Sequence, residues 1–87
     1  MAEPTMLEQV KAALGITGDF TDTTINVYIA DVVDYMLGAG VSQSVIDRSA
    51  GVVARGVSDL WDNDGGNVKY SPYFHERVSQ LALRGGR

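Results

Sequence analysis

Three aspartates beside a pair of glycines are the residues whose spacing comes nearest to a metal site. Asp59, Asp62 and Asp64 precede Gly65 and Gly66, and clustered carboxylate oxygens are the ligands that calcium prefers. A calcium loop counted from Asp62 fails at its later positions, because glycine is fifth, asparagine sixth and tyrosine twelfth. We therefore predict no metal site and interpret these carboxylates as part of a solvated turn.

The single histidine and the glycine pair give no support for catalysis. His75 has no serine or carboxylate that the sequence places to complete a triad. The glycine pair lacks the spacing and the lysine of a phosphate-binding loop. The chain has no cysteine, which excludes disulfides, thiolate metal sites and cysteine nucleophiles. The sequence therefore predicts a protein that is not an enzyme and has no cofactor.

Aromatic residues surround the same glycine-rich segment, namely Trp61, Tyr70, Tyr73 and Phe74. Aromatic side chains dominate both protein cores and interface hot spots. Trp61 continues the apolar stripe of the helix before it, which favours a core position, whereas core and interface stay equally open for Tyr70 and Tyr73. The segment 62–68 has no hydrophobic period and is predicted to be a flexible loop.

Caps and apolar spacing predict four helices that position these residues. Thr5 and Glu8 have the capping-box pattern that starts the first helix, and Gly15 ends it. Asp22 is placed to start the second helix, which ends before a Gly-Ala-Gly turn, and Phe20 is expected to pack against its start.

The third predicted helix is the longest, from Gln43 to Trp61 or Asn63, and would be the central strut. We favour close helix crossing within the protomer, over contact with a neighbouring subunit, for its small residues Gly51, Ala54 and Gly56. A fourth helix starts at Ser71-Pro72 and ends at Gly85-Gly86. We predict an all-α fold: residues 1–87 form one small bundle of about four helices, with a long central helix and a flexible loop before the C-terminal helix.

Charge is divided unevenly along the 87 residues, which carry 11 acidic and 7 basic side chains for a net charge of −4. Residues 1–64 hold ten acidic and three basic side chains, whereas residues 65–87 hold one and four. An acidic body with a basic tail favours head-to-tail contact between copies. It argues against binding led by nucleic-acid phosphates. No stretch predicts a signal peptide or a membrane span.

Three segments together resemble one protein family across nearly the whole chain. They are MLEQVKAALGI at 6–16 followed by an acidic turn and Asp22, DLWDND at 59–64, and QLALRG at 80–85. In this order the segments are similar to the tailed-bacteriophage head–tail connector family, small helical ring proteins also described as adaptor or DNA-packaging proteins. Two departures are Asp64, where many relatives have arginine, and Ala82 with Leu83, which interrupt the closing Gln-Leu-Arg-Gly type signature.

The resemblance implies a structural virion protein at the head–tail junction, assembled in the host cytoplasm. Such a protein forms a homo-oligomeric ring beneath the twelve-fold portal, extends the DNA channel and presents a surface to a neck or tail-completion protein. DNA is then passing cargo, and no membrane is involved. We expect a portal-contacting loop that includes Asp64, Asn67, Lys69 and Tyr70. We also expect Arg84 and Arg87 of one copy to approach acidic residues of the next, with Asp31, Asp34 and Asp47 as candidates.

The main alternative is a small helical DNA-binding or regulatory module. The turn at 38–42 between two helices has a superficial helix-turn-helix appearance. Gln43 and Arg48 of the second helix could contact DNA, whereas Asp47 would be repelled by phosphates. A helical interaction domain of some other kind is a third possibility.

Overall fold

The computed structural model describes residues 4–62 and 70–85, and these ranges contain five helices and no strand. The helices are α1 (Met6–Leu14), α2 (Asp22–Gly38), α3 (Gln43–Asp47), α4 (Ala50–Asp62) and α5 (Pro72–Gly85). The prediction of an all-α bundle is confirmed. The predicted flexible loop before α5 falls mostly in 63–69, outside the described residues.

The start and end of α1 follow the sequence prediction closely. The Thr5 hydroxyl accepts the Glu8 N–H at 3.1 Å, and a Glu8 carboxylate oxygen accepts the Thr5 N–H at 2.8 Å. The Thr5 backbone donor favours the charged carboxylate, so the pKa of Glu8 lies below its ordinary value. Gly15 ends the helix in the left-handed region at φ 72°, and the following Ile16 N–H bonds the Lys11 carbonyl.

α2 starts at Asp22, as predicted, whereas the position of Phe20 before it differs from the prediction. The N-cap residue of α2 is Thr21, which makes no capping hydrogen bond through its side chain. The Asp22 carboxylate instead accepts from the Lys11 ammonium at 2.7 Å, and the same ammonium contacts the Gly18 carbonyl. Phe20, expected to pack against the helix start, is 98% exposed. The Lys11 bridge closes the turn on itself and leaves Phe20 on the outer side.

The prediction of one long third helix is wrong, because the chain breaks between α3 and α4. The N–H groups of Arg48 and Ser49 bond the Val45 and Ile46 carbonyls at 3.1 and 2.9 Å, which are tight i to i−3 contacts. The Ser49 hydroxyl also donates to the Val45 carbonyl at 2.7 Å, while its own carbonyl accepts from Val53 at the start of α4. A serine that competes for backbone partners in this way interrupts the helix. α2, with 17 residues, is therefore the longest helix.

α4 nevertheless holds the central position that was predicted for the long helix, since the other four helices all pack on it. Gly56 lies where α4 crosses α2 and α5, so closely that a Cβ atom there would stand 2.9 Å from Val32 and 2.8 Å from Phe74. Ala54 is buried, whereas Gly51 is exposed with open space around it. Close crossing within the protomer is thus confirmed at Gly56 and absent at Gly51. The molecule is flat, measuring 40 × 36 × 17 Å.

Candidate assembly surfaces

An aromatic cluster joins α2 to the start of α5. The ring of Tyr70 lies 4.6 Å from that of Phe74 and 4.9 Å from that of Tyr35. The Tyr35 hydroxyl and His75 Nδ1 share a hydrogen bond at 2.6 Å. Phe74 is fully buried and Tyr70 half-buried. Tyr70, for which the sequence left core and interface open, therefore supports the core and retains an exposed edge.

Asp59 links the start of α5 to α4 through a hydrogen bond, a role that was not predicted from the sequence. Its side chain is buried with a residue exposure of 8%, and Oδ2 accepts the Ser71 N–H at 2.9 Å. Arg55, one turn earlier, lies 3.6 Å from Oδ1 and donates to the Ser71 hydroxyl at 3.4 Å. That hydroxyl in turn accepts the Phe74 N–H at 3.2 Å, as an N-cap does. The Arg55/Asp59 spacing of four residues was the available signal.

The described residues contain no group of acidic or histidine side chains that could hold a metal ion. Asp64, the third aspartate of the segment 59–64, lies outside the described residues. Within 4–62 and 70–85, no helix is both long and apolar enough to cross a bilayer.

Alkaline pH should weaken the aromatic cluster. Burial raises the pKa of Tyr70 above its usual value of 10.0, and the negative charge of Asp31 adds to the effect. A raised folded-state pKa means that the unfolded chain ionises first, so this contribution to stability is full below about pH 10 and is lost above it. Urea midpoints measured between about pH 8 and pH 11 should fall, and Tyr70→Phe should flatten that fall. Tyr73→Phe, at an exposed position in the first turn of α5, is the control; an equal flattening by both variants would contradict the assignment.

The predicted inter-subunit residues lie on different helices. Asp31 and Asp34 are exposed on α2, whereas Asp47 is exposed on α3 and accepts from the Gln43 side chain at 2.9 Å. Arg84 falls in the last turn of α5. Arg87, and Asp64, Asn67 and Lys69 of the predicted portal-contacting loop, lie outside the described residues. Asp31 and Asp34 therefore share a helix, whereas Asp47 belongs to another.

Large apolar side chains remain exposed on several elements: Phe20, Val27, Leu37, Trp61, Tyr73 and Leu83. Trp61 was predicted to be core, but it is 38% exposed, with its ring edge-on to Tyr28 at 5.8 Å between centroids. Tyr73 is exposed beside the Arg55 guanidinium, 5.8 Å from the ring centroid. These side chains belong to different elements, and singly exposed apolar residues are common on protein surfaces.

One concave feature lies beside Trp61, where α1 ends against the last turn of α4. The groove encloses about 260 Å³ and is lined by Leu14, Ile16, Ser58, Trp61 and Asp62. This volume lies below the range of roughly 300–1,000 Å³ that is typical of small-molecule sites. We refer to these five residues as the α1/α4 groove.

The dimensions of α3 disfavour the helix-turn-helix alternative. A recognition helix lies in the major groove of DNA and presents its side chains there. α3 has only five residues, with Ile46 fully buried and Val45 half-buried against the core. Little of this short helix is available to enter a groove.

The comparison with known families decides between the remaining interpretations. The family model for phage gp6-like head–tail connector proteins matches residues 4–78, which include all of α1 to α4 and the first half of α5. The chain belongs to this family. No curated protein and no solved structure matches the connector significantly. The match covers the first two segments of the sequence resemblance and ends before the third, at 80–85.

Membership assigns the connector a structural role in joining the phage head to the tail. The predicted resemblance to head–tail connectors is confirmed, and so is the predicted role as a structural protein that joins head to tail. A head–tail connector is a component of the virion and contacts other virion proteins, and the exposed apolar side chains described above are available for such contacts.

Proposed function

We propose that this connector assembles into a closed homo-oligomeric ring beneath the portal, where it extends the DNA channel and receives a neck or tail-completion protein. The family match over residues 4–78 is the observation that carries the proposal. Exposed apolar side chains such as Phe20 and Leu83 are available for contacts with other copies. The role is structural and needs no catalytic group, and DNA passes as cargo.

Ring closure needs two different surfaces on each copy that fit one another head to tail. The basic tail and the acidic body supply such a pair in electrostatic terms. We propose that Arg84 and Arg87 of one copy approach Asp31, Asp34 or Asp47 of the next. All three carboxylates belong to exposed residues, which supports their availability. An acidic body also suits a channel wall, because basic walls would retain the DNA phosphates.

We propose that the segment 62–70 contacts the portal through Asp64, Asn67, Lys69 and Tyr70. Support comes from its C-terminal anchor, since Tyr70 packs in the aromatic cluster and the next residue is held by the buried Asp59. A binding segment whose end is already held in the fold loses less conformational entropy on binding.

The test is the mass of the purified chain by light scattering over a concentration series, alone and with the portal protein of the same phage. The proposal predicts a discrete ring, either free or formed only on the portal, with twelve copies per portal. A chain that stays monomeric or dimeric, ignores the portal and binds duplex DNA in a salt-dependent way would overturn it in favour of the regulatory module.

Charge reversal at Arg84 should weaken assembly without unfolding the protomer. Arg84→Glu changes a position in the last turn of α5, and the ends of a chain tolerate substitution well. We expect ring formation to require a higher protein concentration, and the effect to shrink as salt screens the contact. Assembly of the variant that equals wild type in both low and moderate salt would contradict the charge contact.

A further inference from the structure

Leu83 is an apolar side chain on the outer face of the last helix. It is 79% exposed, although its neighbours Val78 and Leu81 are buried. Leu83 follows the buried Phe74 by nine residues, which is about two and a half helical turns, so the two side chains leave α5 on opposite sides. Leu83 therefore points away from α4 and from the rest of the protomer.

The α1/α4 groove lies on the other flank of α4. Gly56 faces α5 through its contact with Phe74, whereas Ser58 lines the groove. Two residues correspond to about 200° around a helix, so these positions lie on nearly opposite sides of α4. The flat protomer thus carries a protruding leucine at one edge and an apolar groove at the other. Such a pair of surfaces cannot meet within one copy.

We infer that Leu83 of one copy docks into the α1/α4 groove of the next copy, a contact that rests on the proposed ring and gives it an apolar anchor. A head-to-tail contact between different surfaces is the kind that generates a ring when the rotation closes. The groove, at about 260 Å³, is large enough to receive an aliphatic side chain and is walled by Leu14, Ile16 and Trp61.

Charge complementarity favours a second copy as the occupant. Asp62 is in the wall of the groove, and the residue after Leu83 is Arg84, in the segment 65–87, whose net charge is positive. Opposite charges beside an apolar anchor orient the partners and suppress wrong registers. In this contact Arg84 approaches Asp62, which leaves Arg87 for the exposed acids of α2 and α3.

Two single substitutions test the contact from its two sides. Leu83→Ser removes the apolar side chain at an exposed position, and Ser58→Phe fills the groove. Each should raise the concentration at half assembly by about tenfold or more, because an aliphatic side chain is no longer buried at each interface. The readout is mass by light scattering of the purified full chain, alone and with portal protein, with circular dichroism to verify the helical fold.

Tyr73→Ser is the matched control, because Tyr73 is an exposed apolar residue of the same helix but lies in its first turn. It should leave the self-assembly of the free chain unchanged. A charge exchange gives an independent readout: Asp62→Arg and Arg84→Asp should each weaken assembly, and the double variant should recover most of the loss.

The outcomes separate this contact from the ring itself. If the wild type forms rings and Leu83→Ser forms them at the same concentration, docking of Leu83 is overturned while the ring proposal stands. If Ser58→Phe loses its helical signal, Leu83→Ser and the charge exchange still decide the question. A wild-type chain that forms no ring, either alone or on the portal, would overturn both proposals.

Discussion

Phe74→Ala is expected to cost about 3–5 kcal/mol of unfolding free energy, the range for truncating a buried phenylalanine. Phe74 is fully buried, its ring lies 4.6 Å from Tyr70 and 5.7 Å from Tyr35, and it packs against Gly56. A domain of this size has a total stability of only about 4–13 kcal/mol. The variant should therefore be partly or wholly unfolded at 37 °C, which urea denaturation followed by circular dichroism would measure.

The other phenylalanine of the chain is the matched control for this substitution. Phe20 is 98% exposed, so Phe20→Ala should change the unfolding free energy by no more than about 0.5 kcal/mol. Because the protomer stays folded, any loss of oligomer assembly or portal binding in Phe20→Ala would show that the Phe20 side chain lies at an interface. Equal destabilisation by the two truncations would contradict the packing described here.

Gly56→Ala should destabilise the protein even though alanine is the better helix former. A methyl group at this position would stand 2.8 Å from the Phe74 ring and 2.9 Å from both methyl groups of Val32. Neither neighbour can turn aside easily, because Val32 is β-branched and both are fully buried. Overpacking costs about 1–3 kcal/mol, against a gain of up to about 1 kcal/mol from helix propensity. We expect the melting temperature to fall by several degrees.

Gly51→Ala on the same helix measures the effect of helix propensity without overpacking. Gly51 is exposed, and a Cβ atom there would meet nothing within 4 Å. The variant should be stabilised by up to about 1 kcal/mol. If Gly56→Ala proved as stabilising as Gly51→Ala, this result would contradict the close packing of α2 and α5 against α4 at Gly56.

The features that the sequence predicted well depend on contacts between near neighbours in the chain. The capping box of α1 joins Thr5 to Glu8 across three residues, and Gly15 ends the helix through its own backbone conformation. The N-cap hydroxyl of Ser71 likewise bonds a backbone N–H three residues ahead. Local energetics of this kind act in any helix, whatever surrounds it.

The candidate assembly surfaces were predicted less completely, because their residues are far apart in the sequence and meet only in the fold. Asp59 was interpreted as part of a solvated turn, whereas it is buried and accepts the Ser71 N–H. Trp61 was predicted to be core, whereas it is partly exposed beside the groove at the end of α1. The pairing of Tyr35 with His75 spans 40 residues. Sequence periodicity cannot show which partner a side chain meets at such separations.

The all-α class, the division into an acidic body and a basic tail, and the resemblance to head–tail connectors follow from composition, caps and short motifs, which are properties of the amino-acid sequence. The break of the helix at Ser49, the exposure of Phe20 and Leu83, and the groove between α1 and α4 became evident only in the folded protein. The physical reason is that burial and orientation depend on how helices pack, and packing joins residues that are distant in the chain.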